Sequence, residues 1–154
     1  MAFPWSDSFS PSVLDSKWYI PSGTFSTATG KGVATSGIDP LNGAIALWFN
    51  SNDRRTYGAD YYVQATLTKS TANNGIVSLL ARHNTLIFLN YVMAGIRTLT
   101  GGDMYEIWQF NNNTFTKLAE TPSDYVNDQT FRFECEGSTL RIVVNGVTKL
   151  TTQH

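Results

Sequence analysis

Glu106 carries the sharpest chemical suggestion in the sequence. In Tyr105-Glu106-Ile107-Trp108 it stands two residues before Trp108, so in an extended strand its carboxylate and the indole share one face. Glycoside hydrolysis needs two carboxyl groups flanking the scissile bond. The positions that would supply the second on that face are Met104 and Trp108, and neither is acidic. Glu134 and Glu136 alternate with Phe133 and Cys135, a pattern that puts the acids on a solvated face. No catalytic residues are therefore expected. His83 and His154 are the only histidines, too few for a zinc site or a nucleophile triad. Asp53, Asp60 and Asp103 lie beside loops but lack calcium-ligand spacing, so no metal or other cofactor is expected. Cys135 is the only cysteine. It forms no intrachain disulfide and is expected as a buried, inert thiol.

Aromatic side chains are the stronger functional material, because an exposed ring beside a loop can stack on a sugar or anchor an interface. Trp48, Tyr91, Tyr105 and Trp108 are the candidates for stacking on carbohydrate. Phe3, Trp5, Arg54, Arg55 and Tyr57 are the candidates for a protein interface: the first two sit in an apolar N-terminus with Pro4, the others in the polar connection from Asn50 to Gly58. For any of these rings, filling a core is the competing use. Asn112-Asn113-Thr114 fits a glycosylation sequon, yet between two apolar runs it reads as hairpin-turn chemistry.

The elements that must position these groups are strands. Thr130 to Glu136 alternates apolar with charged, Gly137-Ser138 interrupts, and Thr139 to Val144 alternates again. A two-residue type II′ loop there pairs Phe131 with Val144, Phe133 with Ile142 and Cys135 with Leu140. Asn145-Gly146 is a type I′ signal that returns Val147 to Thr152 as a third strand, where Lys149 falls opposite Ile142 unless a bulge intervenes. Asp103 to Phe110 and Thr114 to Glu120 form another hairpin, its loop on Asn112-Asn113 pairing Phe110 with Phe115 and Ile107 with Leu118. Tyr61 to Thr68, Gly75 to Arg82, Leu86 to Met93 and Ala44 to Phe49 read as further strands, with weaker candidates near Trp18 and Val33. The total is about nine or ten strands. Only Ser10 to Lys17 and Asp124 to Gln129 could hold a helical turn. The expected fold is an all-β antiparallel sandwich or jelly roll, with residues 1–154 as a single domain.

Eleven basic residues against twelve acidic ones, with no basic run longer than Arg54-Arg55, leave no footprint for nucleic acid. The most apolar stretch, Ile76 to Met93, is broken by Arg82, His83, Asn84 and Asn90, so no membrane span is expected. The first residues lack the pattern of a secretory signal, and synthesis in a cytoplasm is expected.

The order of motifs resembles the concanavalin A-like lectin/glucanase superfamily, in particular its laminin-G-like jelly-roll modules. The matching stretches are Asp7-Ser8-Phe9 with Leu14 and Trp18, Ala59 to Ala65, Gly75-Ile76-Val77 with Ala81-Arg82, Tyr105 to Trp108, Asp128 to Phe133, and Gly137 to Gly146. The resemblance implies a sandwich and says little about chemistry. Such modules usually add a strand after the last hairpin, so either the sandwich has one strand fewer or a neighbouring subunit is expected to cover the exposed edge. The resemblance also extends to accessory proteins of bacteriophage particles. The expected function is a non-catalytic virion component, on capsid or tail, assembled in the host cytoplasm and acting as a homo-oligomer against other virion proteins. The alternative is a carbohydrate- or receptor-binding module meeting cell-surface sugar.

Overall fold

The apolar-polar alternation of the C-terminal third becomes a regular antiparallel ladder in the computed structural model. That structure describes residues 60–71, 73–82 and 90–154 in full, and before them the backbone of four strands. The chain divides into two compact units, Met1–Thr56 and Tyr57–His154. In the first, β1 (Trp18–Ser22) pairs antiparallel with β4 (Ile45–Trp48), and β2 (Thr24–Ser26) with β3 (Val33–Ser36). Both weak strand candidates, near Trp18 and Val33, are thus strands.

Among the described residues the second unit holds eight strands in two four-stranded antiparallel sheets. One sheet runs β12 (Val147–Gln153), β11 (Thr139–Val144), β10 (Thr130–Glu136), β5 (Tyr61–Thr66). The other runs β6 (Ile76–Ala81), β7 (Asn90–Arg97), β8 (Met104–Asn111), β9 (Thr114–Pro122). The described strands number twelve, against nine or ten expected. Residues 124–129 form a loop with a turn rather than a helical turn; Ser10 to Lys17 lies outside the described residues.

Inward-facing residues of the two sheets meet in one core: Phe131, Phe133, Cys135, Leu140, Ile142 and Val144 from one, Val92, Ala94, Ile96, Tyr105 and Ile107 from the other. The β10–β11 register is the expected one, Phe131 with Val144, Phe133 with Ile142, Cys135 with Leu140. Gly137 has the positive φ that opens a type II′ loop, and Asn145 and Gly146 are both positive, as type I′ requires. The ladder between β11 and β12 shifts between Ile142 and Val143, with Ile142 opposite Leu150 and Val143 opposite Thr148. Lys149 is the extra residue, and the bulge frees its ammonium to reach Asp124 at 2.6 Å. Burial keeps the Cys135 thiol protonated, its pKa pushed up to about 11.

Two expectations are corrected. The strand expected at Leu86 to Met93 runs on to Arg97; its described part is Asn90–Arg97, and residues 86–89 lie outside the described residues. Ala94 and Gly95 read poorly as strand residues, yet Ala94 and Ile96 are core, and Gly95 is there because the backbones are close. A Cβ on Gly95 would come within 2.7 Å of the Ser78 Cβ and closer still to the Val77 carbonyl oxygen. Gly95→Ala is accordingly expected to cost about 1–3 kcal/mol through forced separation of β6 and β7. Urea unfolding measures it, and a variant as stable as the parent would show that these strands can spread.

The second correction is on β9. Asn112 and Asn113 both have positive φ, and Phe110 lies opposite Phe115, but Ile107 pairs with Ala119 and not with Leu118. A bulge intervenes between Ile107 and Trp108 of β8, where Leu118 of β9 is the extra residue. Without it, alternation would aim Glu120 at the core; with it, Glu120 lies opposite Glu106 on the other face.

Candidate binding site

With Tyr105 and Ile107 turned into the core, Met104, Glu106, Trp108 and Phe110 fall on the outer face of the β6–β9 sheet. Cross-strand neighbours bring Tyr91, Met93, Gly95 and Arg97 of β7 and Phe115, Lys117 and Glu120 of β9 to that face. Tyr91 stacks on Phe110 at 4.9 Å between ring centroids, and Phe115 meets Phe110 at 4.6 Å and Trp108 edge-on at 6.4 Å.

Beyond these rings the face becomes charged. Glu106, only 1% exposed, is the buried charged side chain among the described residues. Its Oε2 accepts from Arg97 Nε and Trp108 Nε1, both at 2.8 Å, and its Oε1 lies 3.0 Å from Lys117 Nζ. Lys117 Nζ also donates to Glu120 Oε2 at 2.6 Å. Arg97 and Lys117 both lie over the Trp108 ring, 5.4 and 5.0 Å from its centroid, a cation–π arrangement that fixes the indole between them. Burial pushes the Glu106 carboxyl up, but the hydrogen bonds from Arg97, Trp108 and Lys117 together hold it below the ordinary carboxylate range. An acid so held keeps no proton to give a leaving group, which is the opposite of what a glycosidase acid needs.

The second acid on this face is not on the strand of Glu106. Glu120 stands across from it, brought there by the bulge. Lys117 binds both carboxylates, so the pair clamps a lysine instead of leaving room for a glycosidic bond.

The aromatic candidates separate. Tyr105 is a core residue, 1% exposed, its hydroxyl donating to Asp124 at 2.8 Å. Tyr91 is 5% exposed in its stack on Phe110. Neither ring presents a face to a ligand. Trp108 is half-buried, and Trp48 is a residue of β4 whose side chain lies outside the description. Phe3, Trp5, Arg54, Arg55 and Tyr57 all lie outside the described residues, as do His83 and Asp53. Asp60 accepts a hydrogen bond from Gly137 N at 2.6 Å and Asp103 pairs with Lys69 at 2.6 Å. Among the described residues no group of three or more His, Cys, Asp or Glu side chains is placed to hold a metal ion.

The outer face of the other sheet carries Arg132, Glu134, Arg141 and Glu136 in ion pairs, with Arg132 over Tyr62 at 5.1 Å. All of these charges keep part of their surface in water, which makes that ladder ordinary surface chemistry. The Glu106 cluster differs in having a buried charge at its centre, and the sequence reading missed Arg97, Lys117 and Glu120 as its members.

No family model matches the chain, and no curated protein matches it. Among solved structures, the carbohydrate-binding module CBM66 from Bacillus subtilis superposes with a TM-score of 0.68, covering 90% of this chain and 80% of its own at 19% identity. That likeness shows the fold alone: this is an all-β antiparallel sandwich of jelly-roll type.

Proposed function

We propose that the chain is a non-catalytic carbohydrate-binding module, and that it meets its ligand on the outer face of the β6–β9 sheet around Trp108. The observation that carries this reading is the buried Glu106 carboxylate, which orients Arg97, Lys117 and the Trp108 indole in one half-exposed group. A sheet does not need such a charge for stability, since apolar residues of similar volume often serve as well or better. What the charge supplies is orientation. Sugar recognition asks for an amphipathic ring surface and fixed polar groups beside it, and the indole with the flanking cation stems offers both. The similar fold of a carbohydrate-binding module supports the reading from outside the chain.

The comparisons lend no support to the virion role or to self-association, which rest on the sequence reading alone. We therefore place them behind the binding module.

The test is retention of the protein in native gels containing soluble polysaccharides, followed by titration calorimetry on the polysaccharide that slows it. Trp108→Ala is expected to weaken that binding by roughly tenfold or more, about 1.4 kcal/mol, while the far-ultraviolet circular dichroism of the sheet is unchanged. Full affinity in that variant would move the site away from this face.

A further inference from the structure

We propose, resting on the carbohydrate reading above, that the site takes an uncharged glycan, recognised through its hydroxyl groups, and that the cluster is balanced to exclude acidic and sulfated ones. Two cations, Arg97 and Lys117, and two carboxylates, Glu106 and Glu120, contact one another within 2.6 to 3.0 Å. The group as a whole has no net charge. A neutral cluster attracts a distant anion only as a set of opposed charges whose fields largely cancel: Arg97 is already paired with the Glu106 carboxylate, and an anion drawn to Lys117 must also approach Glu120, 2.6 Å from that ammonium and 47% exposed at its side chain. The whole chain, at −1, adds no long-range pull on a polyanion.

The groups left over suit hydroxyls. Arg97 uses Nε on Glu106, and among the described residues its two terminal nitrogens have no hydrogen-bonding partner. Lys117 spends two of its three donors on Glu106 and Glu120. Glu120 accepts through Oε2, leaving Oε1 without a partner among the described residues. Among the described residues, donors therefore remain on both sides of Trp108, from Arg97 on β7 and the third Lys117 N–H on β9, and an acceptor remains at Glu120 on β9, strands about 10 Å apart across β8. A hydroxyl both donates and accepts, so neighbouring hydroxyls can satisfy both kinds of group at once. A carboxylate or sulfate only accepts and would leave Glu120 opposed to it.

Affinity electrophoresis of the full chain tests this with laminarin, dextran, inulin and galactomannan as neutral probes, and dextran sulfate and polygalacturonate as anionic ones. Each is run at low salt and at about 0.5 M sodium chloride, where exposed charges are screened within a few ångströms. The expected result is retention by at least one neutral polymer, changed less than about twofold by salt, and no retention by the anionic ones. Glu120→Gln, a change at an exposed position, leaves the cluster with one net positive charge. This variant is expected to gain retention by dextran sulfate that salt removes. Three results would overturn the inference while sparing the carbohydrate reading: wild-type retention by anionic polymers alone, a tenfold or greater loss in salt, or a Glu120→Gln variant with unchanged preference. Retention by none of the six polymers would count against both.

Discussion

Phe133→Ala is expected to destabilise the protein by about 3–5 kcal/mol, the range for deleting a fully buried aromatic ring. Phe133 is 0% exposed. It sits at the middle of β10, with Ile142 beside it on β11 and Val63 on β5, so rigid strands surround the cavity on both sides and little can collapse into it. Urea unfolding of the variant should show a lower midpoint with an unchanged slope. Glu136→Ala, one residue past the core position Cys135 and 67% exposed at its side chain, is the control and should stay within about 0.5 kcal/mol of the parent. A Phe133→Ala cost below about 1 kcal/mol would mean that the inward face of β10 is not packed as described.

That face was readable from sequence because its signals are local. Alternation gives the face, Gly137-Ser138 gives the loop, and the loop fixes the register. Even the bulge at Lys149 follows, since an ammonium opposite Ile142 in a core has no other escape. What alternation along one strand cannot show is what stands beside it on the next. Along β8 the positions beside Glu106 are Met104 and Trp108, but its ion-pair partners are Arg97 one strand away and Lys117 on the other side, where Glu120 stands opposite it. Part of the signal was present: the Asn112-Asn113 loop that pairs Phe110 with Phe115 also pairs Trp108 with Lys117. The rest depended on the Leu118 bulge and on the position of β7. The continuation of β7 beyond Met93 is not legible because Ala94 and Gly95 look like a strand's end, while the close approach to Ser78 that demands a glycine is a tertiary fact.

The second large effect concerns the charge itself. Replacing both Arg97 and Lys117 by Met keeps apolar stems of similar length over Glu106 and removes both cations. The carboxylate is then buried with only the Trp108 N–H for company, and breaking a buried ion pair in this one-sided way is expected to cost about 3–5 kcal/mol at neutral pH. The pH dependence should also change sign. In the parent, Glu106 titrates below its unfolded value of 4.5, so its contribution is complete above that value and is lost as pH falls through the lower, folded one. In the double variant burial is left almost unopposed and the folded carboxyl moves upward. Its cost is then full at neutral pH and is relieved as pH falls through the raised value towards 4.5, so acid stabilises the variant over the interval where the parent is indifferent. Adding Glu106→Leu to the two Met substitutions removes the stranded charge, and stability should return to within about 1 kcal/mol of the parent or exceed it. Urea midpoints at several pH values measure all three proteins. A double variant as stable as the parent, with the parent's pH profile, would show that Glu106 is not held as described. If the triple variant folds as firmly as the parent but no longer binds the polysaccharide that the parent binds, the ion cluster serves recognition and not the sheet. If it still binds, the Trp108 ring alone carries the affinity and the charges beside it do not.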